Sequence, residues 1–203
     1  MSSESLLQLL PPPPRERADA ARNRKQVLDA ADRLFAERGA CNVSMDDVAA
    51  AAGVGKGTVY RRFKDQSGLA LALLEEKERV LQEAIIRGEP PTGPGAPARD
   101  RLPAFFSELI SLLDAHTELH VLSETAARGA RYRSGLYAFY RLHTQILLQE
   151  IAPDRDVEVL ADQLLAPLQA ELFVYLRDER GVTVERIEAE LLRLVEQATA
   201  CGE

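Results

Sequence analysis

The sequence predicts an all-α fold, and three observations carry that expectation. Apolar residues recur at helical spacing through most of the 203 residues,. No stretch alternates apolar and polar side chains long enough to make a half-buried strand. Gly39, Gly53, the loop beginning at Gly88, Pro153 and Gly181 fall between the periodic segments, where helices are expected to stop,.

Residues 1–14 end in Pro11-Pro12-Pro13-Pro14, a stiff segment with no core to join, and are expected to form a mobile tail,. From Asn23 onward, Val27, Ala30, Ala31, Leu34 and Phe35 lie on one face of a first helix. Arg38 and Gly39 close it, a cation for the dipole and a residue able to turn left-handed,. Ser44-Met45-Asp46-Asp47 has the form of a capping box, so a second, short helix is expected to bury Met45, Val48, Ala49 and Ala52 and to stop at Gly53,. A third runs from about Gly55 to Phe63, with Val59 and Phe63 inward, and a fourth spans 67–87. The stretch GEPPTGPGAP holds four prolines and three glycines in ten residues, so a flexible loop is expected over 88–98,. Helices follow near 99–115, 117–128, 132–151, 155–178 and 183–200. The expected organisation is a tail 1–14, a small helical domain 15–68, and a larger helical domain 69–203 joined through the fourth helix.

Composition narrows the class. Hydrophobic residues are 46% and charged residues 28%, which suits a folded chain,. The net charge of −7 argues against a protein that coats nucleic acid along its whole surface,. Cys41 and Cys201 form no CxxC pair, which excludes a disulfide scaffold and a cysteine zinc site and suits a reducing, cytoplasmic setting,. No apolar run approaches the roughly 18–20 residues of a membrane span, and no signal peptide or membrane partner is expected. GxSxG, dinucleotide and P-loop signatures are absent. Gly53 to Thr58 contains GKGT but lacks the preceding strand and the glycine spacing of a P-loop, so no enzyme is expected,.

Ser44 to Phe63, SMDDVAAAAGVGKGTVYRRF, has the parts of a helix-turn-helix,. Small residues Ala49 to Ala52 allow close helix approach, Gly53 permits the sharp turn, and Val54 plugs the gap. The second helix presents Gly55, Lys56, Gly57, Thr58 and Tyr60 at its N-terminal end, where free N–H groups and the dipole favour a phosphate. The run resembles the DNA-binding signature of the TetR family of bacterial regulators: an Ala-rich helix, AGV, a KGT-like start and a Y-x-x-F ending. The resemblance extends from Asn23 through Leu73, about a quarter of the chain, and the remainder is similar in architecture only. It implies a homodimer that represses nearby genes and leaves a palindromic DNA operator when a small-molecule effector enters the C-terminal domain. One position departs: where the family usually carries a phosphate-gripping lysine, this chain has Gln66.

Charge supports this reading. Residues 15–68 carry a net +3, and the rest of the chain −10. Arg15, Arg17, Arg22, Arg24 and Lys25 stand where they can follow a DNA backbone or reach a minor groove. Lys56, Tyr60, Arg61 and Lys64 are the candidate phosphate contacts, Gly57 and Thr58 the candidate base readers, and Ser44 and Arg62 complete the set.

The acidic remainder is expected to dimerise and to hold the effector. Leu164, Leu168, Leu172 and Tyr175 on the penultimate helix, with Ile187, Leu191 and Leu194 on the last, form stripes suited to a four-helix seam between two copies,. Phe106, Leu109, Leu113, His116, His120, Tyr137 and Tyr140 are the candidate pocket residues. His116, His120 and Glu124 recur at i, i+4, i+8, a spacing that suits a divalent metal, although HTELH is not HExxH and a polar helix face explains it as well. No cofactor is expected. The alternative reading is a helical small-molecule or metal binding protein with a vestigial helix-turn-helix. A helical enzyme is a third reading, for which no residue set stands out.

Overall fold

The computed structural model describes residues 18–200, so the expected tail, Arg15, Arg17 and Cys201 lie outside the described residues. The chain is all-α, with no strand among the described residues. It divides into two compact units. Among the described residues, the first is built from 18–77 together with 118–131; the second holds 78–117 and 132–200.

In the first unit α1 (Ala18–Arg38), α2 (Met45–Ala52), α3 (Lys56–Phe63) and α4 (Gln66–Lys77) follow one another through short corners. The apolar face expected on α1 is the buried one, with Val27, Ala30, Ala31, Leu34 and Phe35 at 7% exposure or less. Val48 of α2, Val59 of α3 and Leu69 of α4 are likewise closed to solvent. Lys77 on α4 reaches Asp32 on α1 at 2.7 Å.

The helix expected over 67–87 is instead two helices, α4 and α5 (Arg79–Arg87), separated at Glu78, and the division between units falls there rather than at Gly68. No glycine or proline marks the break. At the break the buried Glu78 carboxylate accepts from the Tyr140 hydroxyl, 62 positions away.

The second unit continues with α6 (Ala98–Ala115), α8 (Gly135–Ile151), α9 (Val157–Leu165), α10 (Ala170–Val174) and α11 (Val184–Thr199); α7 (Thr117–Glu124) begins at its edge and runs into the first unit. The uninterrupted helix expected over 155–178 is also corrected. Pro167 lacks an N–H and crowds the carbonyl four residues back, so α9 gives way to a 3-10 turn at Ala166–Leu168, and α10 ends in a π-turn at Tyr175–Glu179. Arg177 in that π-turn donates to Asp114 at 2.7 Å and to the Thr117 hydroxyl at 3.0 Å, fixing the end of α6. The unit's core is aromatic: Phe105, Phe106, Phe139 and Phe173 are closed to solvent, and Phe105 stands 5.5 Å from Phe106 and 5.6 Å from Tyr140 between ring centres. No single helix among the described residues is long and apolar enough to cross a membrane.

Candidate nucleic-acid interface

The start of α2 is set locally. The Ser44 hydroxyl accepts from the Asp47 N–H at 3.1 Å, and the Asp47 carboxylate accepts from the Ser44 N–H at 2.9 Å, a complete capping box,. The Ser44 hydroxyl also donates to the Asp47 carboxylate at 2.5 Å; this bond first, and the one from the Ser44 N–H second, hold the Asp47 carboxyl below its usual range,. The helix ends in a Schellman turn. The N–H of Val54 bonds Ala49 O at 3.1 Å and that of Gly53 bonds Ala50 O at 3.2 Å, with Gly53 left-handed at φ 66°,.

That turn launches α3, which is amphipathic in the expected sense. Val59 and Phe63 are buried, while Lys56, Gly57, Tyr60, Arg61 and Lys64 are exposed and Thr58 and Arg62 half-buried. Tyr60 keeps 46% of its surface open, leaving its ring and hydroxyl available to an outside partner,. A Cβ added at Gly55 or Gly57 would meet no atom within 4 Å. The fold itself does not demand the missing side chains; they leave room for an outside surface to approach the backbone.

Several cations of this unit already have partners inside it. Lys56 pairs with Asp46 of α2 at 2.5 Å, and this carboxylate raises the lysine pKa. Lys25 pairs with Asp29 at 2.8 Å, and Arg24 lies 3.7 Å from Glu76. These pairs are solvent-exposed, hence weak and exchangeable for phosphate oxygens.

Gln66, at the family's lysine position, turns inward. Its amide nitrogen donates to Ala40 O and, at 2.7 Å, to Val43 O. Asp65 caps the same helix start by accepting from the Gly68 N–H at 2.9 Å. Glu118, which sequence reasoning passes over, accepts from the Ala40 N–H at 2.7 Å. The sole sequence signal for this corner is the substitution at Gln66 itself.

The expected pocket residues fall in two settings. Phe106, Leu109, Leu113 and Tyr140 are packed into the second unit's core. Tyr137 is also buried, with its hydroxyl on Asp162 at 2.7 Å, and it lines an open groove of about 750 Å³ with Tyr132, Arg141 and Gln145. His116 and His120 are half-buried and belong to different units. The weak metal set His116, His120 and Glu124 is not borne out: among the described residues no three metal-ligating side chains are grouped to hold an ion. Glu124 is taken up by Arg131 at 2.5 Å, with His120 Nδ1 at 4.0 Å.

The expected seam residues also divide. Leu164, Leu168 and Leu191 are buried within their own unit, Ile187 is half-buried, and Leu172, Tyr175 and Leu194 are exposed by 39%, 43% and 49%. Leu168, Leu172, Ile187, Leu191 and Leu194 line one apolar groove of about 490 Å³ beside α11.

The chain is similar to known proteins. Residues 27–73 match the model of a family described as bacterial regulatory proteins, tetR family. An HTH-type transcriptional regulator of Staphylococcus aureus is 27% identical over 181 residues, covering 88% of this chain and 95% of that protein. A second S. aureus HTH-type transcriptional regulator is 42% identical over 59 residues, 29% of this chain and about a third (32%) of the relative's length. The crystal structure of Thermus thermophilus FadR, titled a TetR family transcriptional repressor in complex with lauroyl-CoA, superposes with TM-score 0.70 at 18% identity, covering 89% of this chain and 96% of that one. This last likeness establishes a shared fold.

Proposed function

Because this chain is a transcriptional regulator of the TetR family, we propose that it works as a homodimeric repressor, held on a palindromic operator until a small molecule releases it. The observation that carries the DNA-binding part is α3: a short helix launched by a Schellman turn, with Val59 and Phe63 inward and Lys56, Gly57, Tyr60, Arg61 and Lys64 outward. Lys56, Tyr60, Arg61 and Lys64 grip phosphates; Gly57 and Thr58 read base edges, with Arg62 beside them; Ser44 fixes where α2 begins.

One such helix covers too little DNA for specificity, so two heads are needed, with half-sites about 34–36 Å apart or a multiple of that. The groove beside α11, with Leu172 and Leu194 exposed along it, is the seam that a second copy covers, together with the exposed Tyr175,. Leu168 and Leu191 line the groove as well, and Leu164 is buried in the same unit.

The effector site is placed in the aromatic core of the second unit, among Phe106, Leu109, Leu113, Tyr137 and Tyr140. His143 supports that choice: fully buried, 4.8 Å from the Phe105 ring, it has both ring nitrogens without a hydrogen bond, a group that a polar ligand atom would satisfy,. A T. thermophilus relative in fold holds lauroyl-CoA, which favours an effector with an apolar portion. The repressor acts in the cytoplasm, where its DNA is. A gel-shift titration at fixed salt against the duplex upstream of its own gene tests the reading. Tyr60→Ala is expected to weaken binding to every duplex alike, and unchanged affinity would count against it.

A further inference from the structure

We infer that Glu118 is a positioning residue for the DNA-reading helices, acting with Gln66 to hold the corner from which α2 starts. The inference rests on the proposed DNA-binding role of α2 and α3 and names what keeps them in register.

The corner is Gly39 to Ser44. Gly39 has φ 77°, followed by a single 3-10 turn at Ala40–Asn42. Ala40 and Val43 are 1% and 2% exposed, so their backbone polar groups need protein partners,. The local chain supplies little: the Val43 N–H reaches Ala40 O at a long 3.4 Å. Two side chains from outside the corner supply the rest. Gln66, at the start of α4, donates its amide nitrogen to Ala40 O and Val43 O. Glu118, 78 positions along the chain, accepts the Ala40 N–H at 2.7 Å. Both backbone polar groups of Ala40 are therefore held by side chains on two different helices.

Val43 is followed directly by the cap residue Ser44. Holding Ala40 and Val43 thus sets where the capping box forms, hence the placement of α2 against α1 and, through the Gly53 turn, that of α3. Glu118 is itself well supported: its segment, 118–131, belongs to the same compact unit and is tied by the Glu124–Arg131 pair, whose side chains are 8% and 14% exposed. A carboxylate accepting from a backbone N–H is a strong hydrogen bond; Glu118 is itself exposed, so its loss exchanges that fixed acceptor for water, which imposes no geometry on the corner. The corner then relaxes, and reading geometry is lost before fold. The DNA-reading head is accordingly discontinuous in sequence.

The test compares wild type with Glu118→Ala and Glu118→Gln, as full-length chains. The probes are a duplex selected by wild type from a random-sequence pool and a scrambled duplex of the same composition. Anisotropy titrations give the affinity ratio between them, salt titrations the electrostatic slope, and circular dichroism the folded fraction. E118A is expected to lower the ratio about tenfold, leaving the scrambled-duplex affinity and salt slope unchanged. E118Q keeps an acceptor oxygen and is expected to recover most of the ratio. An unaltered ratio in E118A overturns the inference. So does an equal loss for both duplexes that tracks the unfolded fraction, since a merely structural residue gives that pattern. A wild type that selects no duplex removes the DNA-binding reading, and this inference with it.

Discussion

Replacing Gly53 isolates the backbone cost of the turn between α2 and α3. Gly53 sits at φ 66°, ψ 28°, within the left-handed region, and a Cβ built there meets no atom within 4 Å. Gly53→Ala therefore adds no clash with neighbouring residues, and its whole cost is the strain of an L side chain in that conformation, about 1–2 kcal/mol. In a chain of this length such a loss lowers the melting temperature by about 2–8 °C. Gly53→Asn is expected to cost less, because asparagine tolerates the left-handed region, and Gly53→Val more, because branching at Cβ adds crowding. Thermal and urea unfolding followed by circular dichroism would rank the four proteins as Gly, Asn, Ala, Val in falling stability. Gly53→Ala as stable as wild type, or Asn worse than Ala, would refute the reasoning.

Two further outcomes are expected. Burial, and secondarily the Arg101 charge, depress the His143 pKa to about 3. A histidine with a depressed folded pKa favours folding above its unfolded value near 6.5 and opposes it as pH falls below that. His143 should then cost about 1.4 kcal/mol per pH unit between about 6.5 and 3, and His143→Leu should flatten that part of the urea-stability profile relative to wild type; parallel profiles would contradict it. Leu194→Glu places a charge in the apolar groove beside α11 and is expected to reduce the sedimentation mass from twice 22.4 kDa to 22.4 kDa at micromolar concentration, whereas an unchanged mass would move the seam elsewhere.

How much of this was legible in the sequence follows from where each determinant lies. The capping box of Ser44 and Asp47, the turn at Gly53 and the inward pair Val59 and Phe63 depend on neighbours within a few positions, so pattern and structure coincide there. The break at Glu78 coincides with a bond to Tyr140 far along the chain, and no local residue announces it. Pro167 is a local signal, but the leucine periodicity on both sides of it reads as one helix. Gln66 is visible as a departure from a lysine; where its amide goes is settled by a corner 26 positions away. Glu118 offers no signal at all, because its neighbours His116 and His120 draw the eye to a metal spacing that the helix does not realise. The pocket residues are apolar and aromatic, and that composition does not separate a packed core from a cavity wall. The net charge has a similar ambiguity. Its sign describes the whole chain, whereas the excess of cations lies in the segment that carries α2 and α3.

The most direct test of the central claim is the salt dependence of binding to the duplex that the protein selects from a random pool. Lys56, Arg61 and Lys64 from two copies neutralise about six phosphates, which predicts a slope of log K against log salt of about −5. Arg61→Ala should make that slope shallower by about 2, one contact in each of two heads. A slope near zero, or one that Arg61→Ala leaves unchanged, would contradict the account of α3 as the element that meets DNA.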